Sequence, residues 1–331
     1  MKILVTGATG FVGSHVARKL LKAGHQIRVL RRKESSTKML AGLNVETAIG
    51  DVTDRHSVFE AVKGCEAVFH VAGFVSFWRG HNETMKRIHV DGTRNVVEAC
   101  LAHRVKRLVQ TSSIAAIGYE TGGKPATEET PFNWWPYRIE YFNTKHLAEE
   151  EVREGIKKGL DAVIVNPAVI FGAGDLNLNA GAMVFQAARR KILVCPKGGC
   201  CTCDIEDVAE GHLLALEKGR TGERYILGGN NYTFKELFIL IAEVVGVPPP
   251  KAELPKAVLL PLGHLWDLVS RFNQKEPMLT PESVRVSTIP CYYSSEKAIR
   301  ELGYKISPFR ETIRKTYEWY LQNGYLKRVS S

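Results

Sequence analysis

The stretch Thr6-Gly7-Ala8-Thr9-Gly10-Phe11-Val12-Gly13 constrains this chain more than any other. It lies between an apolar run at residues 2–6 (KILVT) and a stretch of helical periodicity from about 11 to 23. Three glycines at spacings of three have distinct uses: one permits a tight turn, one lets the backbone approach a pyrophosphate, and one allows close packing of helix on strand. The helix N-terminus then offers unpaired N–H groups and a partial positive charge to an anion. A glycine-rich turn can also exist without a ligand. Placed between a strand and a helix, the pattern predicts a dinucleotide site formed by Gly7, Thr9, Gly10, Phe11, Val12 and Gly13.

Residues 26–31, 44–49, 67–71, 107–112 and 161–166 read as further strands, with helical stretches at 54–63, 83–103 and 142–158 between them. Strands alternating with helices predict an α/β fold, a doubly wound parallel sheet of the Rossmann type. Short apolar runs with little alternation suit strands buried on both faces. After Asn166 the rhythm breaks. Residues 172–181 are rich in Gly and Asn, 248–250 and Pro255 mark a loop, and 224–227, 233–245 and 309–322 continue as strand and helix candidates. The expected division is a dinucleotide-binding Rossmann domain at 1–170 and a smaller, mainly substrate-binding lobe at 171–331, with the chain crossing back between them.

A chain of 331 residues that is 44% hydrophobic and 24% charged can bury a sizeable core, which argues against a disordered tail, a collagen-like rod or a coiled coil. Its net charge of +10 suits a nucleic-acid binder, a membrane-surface protein or an enzyme that holds anions. A strand-like run begins at Ile3, leaving no room for a leader. No run of about 20 apolar residues exists, and the nearest, 257–269, is interrupted by Pro261, His264 and Asp267, so no membrane span is expected. Seven cysteines, an odd number, read as reduced thiols, and the expected location is cytoplasmic.

One short part of the charge has a specific use. A dinucleotide site often ends the second strand with an acid that binds the ribose 2′-hydroxyl. Here Arg31-Arg32-Lys33 stand in that place, and guanidinium groups bind a 2′-phosphate that a carboxylate would repel. The cofactor expected is NADP(H) rather than NAD(H), with Arg31 and Arg32 on the phosphate; a solvated basic loop is the plainer alternative. Asp51 and Val52 follow the third strand. Asp51 suits the adenine amino group, or equally a cap for the helix beginning near Asp54.

Tyr141 and Lys145, four apart, share one face of a helix. A phenol with a pKa of about 10 is a poor acid and base near neutrality, and a neighbouring ammonium favours the phenolate. Ser112-Ser113 ends the fifth strand at the carboxyl edge of the sheet, where ligands bind in open α/β folds and where a hydroxyl can meet a substrate carbonyl.

These residues carry a family resemblance. TGATGFVG (6–13), GDV (50–52), HVAG (70–73), VDGTRNVVEAC (90–100), TSSIAAIG (111–118), YFNTK (141–145) and NPAVIFGAGD (166–175) occur in the order found in the extended short-chain dehydrogenase/reductases. With ERYILGG (223–229) and EKAIRELGY (296–304) the resemblance covers nearly the whole chain. It is nearest to the dihydroflavonol-4-reductase-like branch of the NAD-dependent epimerase/dehydratase family. The resemblance implies Ser113, five residues before Gly118, as the catalytic hydroxyl and Tyr141 as the general acid/base. It implies that Lys145 holds the nicotinamide ribose and lowers the tyrosine pKa, and that Val71, Ala72, Pro167 and Val169 line the cofactor. His89 stands where the family usually has Asn; it either replaces that hydrogen bonding or titrates. The resemblance also implies a possible homodimer through the helices at 83–103 and 142–158.

Phe74, Ser76, Phe77, Trp78, Trp134, Trp135 and Tyr137 come from loops after sheet strands and predict an apolar, aromatic substrate pocket. Arg189-Arg190-Lys191 end a helix in the second lobe, where they suit a diphosphate or simply the helix terminus. Cys195, Cys200, Cys201 and Cys203 invite a metal site, but adjacent strand residues point opposite ways, so no metal is expected. The function expected is NADPH-dependent reduction of a small-molecule ketone or aldehyde, with no nucleic-acid or membrane partner. The alternatives are a nucleotide-sugar epimerase or dehydratase retaining NAD, a 3β-hydroxysteroid-type dehydrogenase, and a non-catalytic NADP sensor.

Overall fold

The computed structural model describes residues 1–327 apart from Gln274 and Met278; residues 328–331, counted above in the second lobe, lie outside the described residues. The first part of the chain runs β1 (Lys2–Thr6), α1 (Phe11–Lys22), β2 (Gln26–Arg31), β3 (Glu46–Ile49), α2 (Arg55–Val62), β4 (Ala67–His70), α3 (Asn82–Lys86), α4 (Gly92–Ala102), β5 (Arg107–Thr111), α5 (Glu140–Lys157) and β6 (Ala162–Pro167). The rest runs β7 (Val169–Phe171), α6 (Gly181–Ala188), β8 (Val194–Pro196), β9 (Gly199–Asp204), α7 (Ile205–Lys218), β10 (Arg224–Leu227), β11 (Asn230–Thr233), α8 (Phe234–Val245), β12 (Ala252–Leu254), α9 (Lys256–Asn273), α10 (Pro281–Ser287), β13 (Pro290–Cys291), α11 (Glu296–Leu302) and α12 (Phe309–Gln322).

Seven parallel strands form the main sheet in the order β10-β6-β5-β4-β1-β2-β3. The order reverses between β1 and β4, and that switch point opens a crevice at the carboxyl ends of the strands. Period-2 alternation sends successive residues to opposite faces. Ile3, Val5 and Phe69 pack with α1 and α7, while Leu4 and Val68 pack with α2, α4 and α5. Both faces are covered, which is why these strands read as continuous apolar runs.

Two departures from the expected elements matter for the site. The single helix expected at 83–103 is α3 and α4 joined through a wide π turn, Arg87–Asp91. The wider turn re-aims its side chains, and His89 lies in it. After Ile205 the chain returns to the main sheet, with α7 covering one face and β10 extending it parallel to β6. The remaining elements build a smaller layer around β9, paired to β7, β11 and β13, with a core of its own under α6, α8 and α12.

On β9, Cys200 packs into that second core, whereas Cys201 and Cys203 face the main-sheet core. Burial pushes all three thiols up, Cys201 to about 11. Among the described residues, no group of three or more His, Cys, Asp or Glu could hold a metal ion, and no helix is long and apolar enough to cross a membrane.

Candidate active site

Each glycine of the first turn has a geometric reason. Gly7 has φ +69°, a left-handed backbone open to glycine, and a Cβ there would lie 2.7 Å from the backbone of Ala72. A Cβ on Gly13 would lie 2.3 Å from the Gly7 carbonyl oxygen, so α1 could not sit so close to β1. Gly10 is the N-cap of α1 and makes no side-chain cap bond, so the N–H groups of Phe11, Val12 and Gly13 open toward the crevice. That bare helix terminus fits a pyrophosphate. Thr9 and Val12 flank it, half-buried.

Thr6 ties the switch point together. Its hydroxyl oxygen accepts the N–H groups of Val71 and Ala72, both at 3.1 Å. Its proton therefore goes to His70 Nδ1, 2.8 Å away. His70 is fully buried, and desolvation with the nearby Lys145 charge lowers its pKa to about 3. Its Nε2–H and the Gln110 Oε1 on the strand position directly beside it have no hydrogen-bond partner among the described residues.

Arg31 and Arg32 differ. Arg31 donates to the carbonyls of Arg32 and Lys33, both at 3.2 Å, and so shapes the loop. Arg32 is exposed and unpaired among the described residues. Asp51 does not cap α2: Asp54 does, accepting from the N–H groups of His56 and Ser57. Asp51 Oδ1 instead accepts from the N–H and hydroxyl of Thr53, both at 2.9 Å. Val52 is buried against Gly92, and its carbonyl accepts from Asn95 at 2.9 Å.

The two adjacent serines separate by alternation. Ser112 is buried and donates to Glu149 Oε1 at 2.6 Å. Ser113 is half-buried, and its Oγ accepts the Ala115 N–H at 3.1 Å. Burial pushes the Tyr141 phenol up, and the neighbouring Ser113 hydroxyl pulls it down. The expected lowering by Lys145 is not found in the protein alone. Lys145 Nζ donates to the Thr111 carbonyl at 3.3 Å, and burial brings the lysine itself down to about 8, partly offset by the Glu149 carboxylate one helical turn along. A Cβ on Gly73 would stand 3.4 Å from that Nζ, so Lys145 looks out at the switch point beside Val71 and Ala72. Pro167 ends β6 and Val169 opens β7 on the same crevice edge.

His89 is held by hydrogen bonds on both ring nitrogens. Its Nε2 accepts the Phe74 N–H at 3.1 Å, which leaves Nδ1 to donate to Thr144 Oγ1 at 2.9 Å. Burial holds its pKa well below the usual 6.5. The ring also packs edge-on to Tyr141 at 5.8 Å.

The aromatic residues expected to line a pocket do not all gather at Tyr141. Phe77 lies 6.2 Å from the Tyr141 ring, and Phe74 packs edge-on to His81 at 5.1 Å. Trp78 also packs on His81, and the Tyr137 hydroxyl bonds Tyr119 at 2.7 Å. Trp134 is core: fully buried, it donates to the Ile117 carbonyl at 3.0 Å. Trp135 lies on the surface against Phe132 and His146, away from Tyr141, because the chain turns through Trp135–Tyr137 before entering α5. Ser76 is no substrate hydroxyl. It is buried and occupied by Glu276, His81 and the Trp78 N–H, each at 3.1 Å.

Sequence reasoning missed Glu149, a fully buried carboxylate held by Ser112, Asn166, Arg153 and Arg224. Its position four residues after Lys145 was the available signal.

The model of the NAD dependent epimerase/dehydratase family matches residues 3–228. The chain belongs to that family. It is 33% identical over 98% of its length to a Synechocystis protein provisionally named dihydroflavonol 4-reductase, covering 95% of that relative. It is 31% identical to the sterol demethylase protein B of Methylococcus capsulatus, over 98% of this chain and 100% of that one. The solved structure of gox2253 superposes with a TM-score of 0.87 at 39% identity, over 98% of this chain and 99% of the other. Membership of this family makes the chain a Rossmann-type enzyme of small-molecule chemistry.

Proposed function

We propose that this family member is an NADP(H)-dependent reductase of an apolar ketone or aldehyde, reversible as an alcohol dehydrogenase. The observation that carries the reading is the meeting of Ser113, Tyr141 and Lys145 at one sheet edge, beside the bare N-terminus of α1. The N–H groups of Phe11, Val12 and Gly13 hold the pyrophosphate, and Arg32 takes the 2′-phosphate, joined by Arg31 where it leaves the loop carbonyls. Asp51, Val52, Val71, Ala72, Pro167 and Val169 flank the nucleoside portions. When bound, the nicotinamide supplies the hydride.

Tyr141 hydrogen-bonds the substrate oxygen and delivers its proton there. A phenol raised by burial is a protonated donor at neutral pH, the state that reduction requires. Ser113 donates a second hydrogen bond to the same oxygen and stabilises the charge that develops on it. Lys145, charged below about pH 8, binds the ribose hydroxyls. Phe77 supplies an apolar wall beside Tyr141, which suits an apolar carbonyl compound. The layer around β9 closes the substrate side, and pairing through α4 and α5 makes a homodimer in this reading.

A second reading is a nucleotide-sugar epimerase or dehydratase that retains NAD. It draws on the exposed Arg189, Arg190 and Lys191 after α6, where a diphosphate would sit. One experiment separates the two: titrate NADPH and NADH, then follow loss of reduced nicotinamide against ketones, aldehydes and nucleotide sugars. Tighter NADPH binding and net turnover of carbonyls are expected, with Tyr141→Phe lowering kcat by about 10²–10⁴-fold while NADPH still binds. Equal or tighter NADH binding, or most of the turnover retained in Tyr141→Phe, overturns the proposal.

A further inference from the structure

Helix α9 is built inside out. At about 100° per residue, Gly263, Asp267 and Ser270 fall on one narrow seam, and these are its buried residues. A Cβ on Gly263 would lie 3.2 Å from the backbone of Thr280 and Pro281. The Asp267 carboxylate is paired with Arg79 at 2.6 Å and with Arg271 at 3.2 Å, and the Ser270 hydroxyl donates to the Asp267 carbonyl at 2.7 Å. The opposite face carries Val258, Leu262, Leu265, Trp266, Val269 and Phe272, exposed by 42% to 84%. Leu268 and Pro261 widen that face to about half of the helix circumference.

Single exposed apolar residues are ordinary, but a contiguous apolar face marks a surface that something covers. Two features select the occupant. The face is too broad for one partner helix: a paired-helix seam is a narrow stripe and would leave Trp266 and Leu268 in water. The charge it leaves unpaired is also of one sign. Asp267, the one acid between Lys256 and Asn273, is buried and paired with Arg79 and Arg271, which leaves Lys256 exposed at the helix start. A broad apolar face with an unpaired cation at its start, on a chain of net charge +10, complements an anionic lipid surface. Pro261, His264 and Asp267 exclude a span but not a helix lying in the interface plane.

We propose that α9 docks this protein on the headgroup layer of an anionic bilayer, with its apolar face in the lipid and Lys256 on the phosphates. The docked helix is joined to the active-site mouth. Arg79 and Ser76 flank Phe77 and Trp78 in one loop, and their partners are Asp267 of α9 and Glu276 just beyond it. The membrane surface would therefore lie beside the entrance to Tyr141. The docking does not depend on the reaction proposed above and can be tested without substrate.

The test is sedimentation of the full chain with phosphatidylcholine vesicles, with or without about one third phosphatidylglycerol. Leu265→Glu/Phe272→Glu serves as the variant; both side chains are exposed, and unchanged thermal unfolding and NADPH binding check its fold. The wild type is expected to sediment with the anionic vesicles only, and the variant to bind them at least about ten-fold more weakly. Three results overturn the proposal. One is no sedimentation with anionic vesicles. Another is equal binding by the variant, which would assign the effect to overall charge. The third is a lipid-free dimer that the variant dissociates without any vesicle binding by the wild type, which would make the face a contact between copies of this chain.

Discussion

Helices α1 and α9 are both amphipathic and face opposite ways. α1 buries Val16, Ala17 and Leu20 against the sheet and leaves Lys22 in water. α9 buries Gly263, Asp267 and Ser270 and turns its apolar side chains outward. A helical hydrophobic pattern shows that one face wants to leave water. It does not say whether the chain itself provides the cover. For α1 the cover is β1 and its neighbours, which also bring the first turn of the helix to the crevice. For α9 the described residues cover only the seam of Gly263, Asp267 and Ser270, and the apolar half faces outward.

The strongest way to sharpen this contrast is to cut the same residue type in both regions. Phe69 in β4 is completely buried, so Phe69→Ala is expected to lower stability by about 3–5 kcal/mol, read as a shift in the urea midpoint. A small shift would mean that the main-sheet core relaxes far more than its packing suggests.

Gly13→Ala probes the tight packing of α1 on the turn. With a Cβ only 2.3 Å from the Gly7 oxygen, a loss of about 1–3 kcal/mol is expected. NADPH binding should weaken with it, because the displaced helix start carries the free N–H groups. Unchanged affinity on calorimetric titration would separate the turn from the cofactor.

The core of the first region also holds histidines that must stay neutral. Burial lowers His70 to about 3 and His212 to about 4, from an ordinary 6.5. As pH falls below about 6.5 the unfolded chain takes up protons that the folded chain refuses. Stability should therefore decline with acid, by up to about 1.4 kcal/mol per pH unit for each group until its folded pKa is reached. Urea unfolding at pH 7, 6 and 5 reads this slope, and a flat profile would contradict the burial of both rings.

The smallest effect is the counterpart of the first. Phe272 is 84% exposed, and Phe272→Ser should change stability by no more than about 0.5 kcal/mol. A loss as large as that for Phe69→Ala would show that α9 has an apolar partner within the chain.

Much of the site could be read along the chain because its signals are local. Gly7, Gly10 and Gly13 lie within one turn of chain, and Tyr141 and Lys145 lie on one helix face. The alternation of strands and helices fixed the parallel sheet, since buried parallel strands must be apolar on both faces. Even the choice between Ser112 and Ser113 follows from strand alternation, once Glu149 is known to lie on one side.

Contacts between distant residues were not legible. Trp134 and Trp135 are neighbours of the same type, yet one is core and the other surface, because what surrounds each comes from residues far along the chain. Ser76 follows β4 in the chain, yet its hydroxyl bonds Glu276, 200 residues away. His89 acquired its role from Phe74 and Thr144 and from the π turn that aims it. The sequence by itself determined the periodicities, the glycine turn and the chemical types at the sheet edge, because each depends on residues a few positions apart. Only the tertiary structure decided which arginine is free, which aromatic rings reach Tyr141 and which way α9 faces, because burial and pairing depend on what the rest of the chain brings alongside.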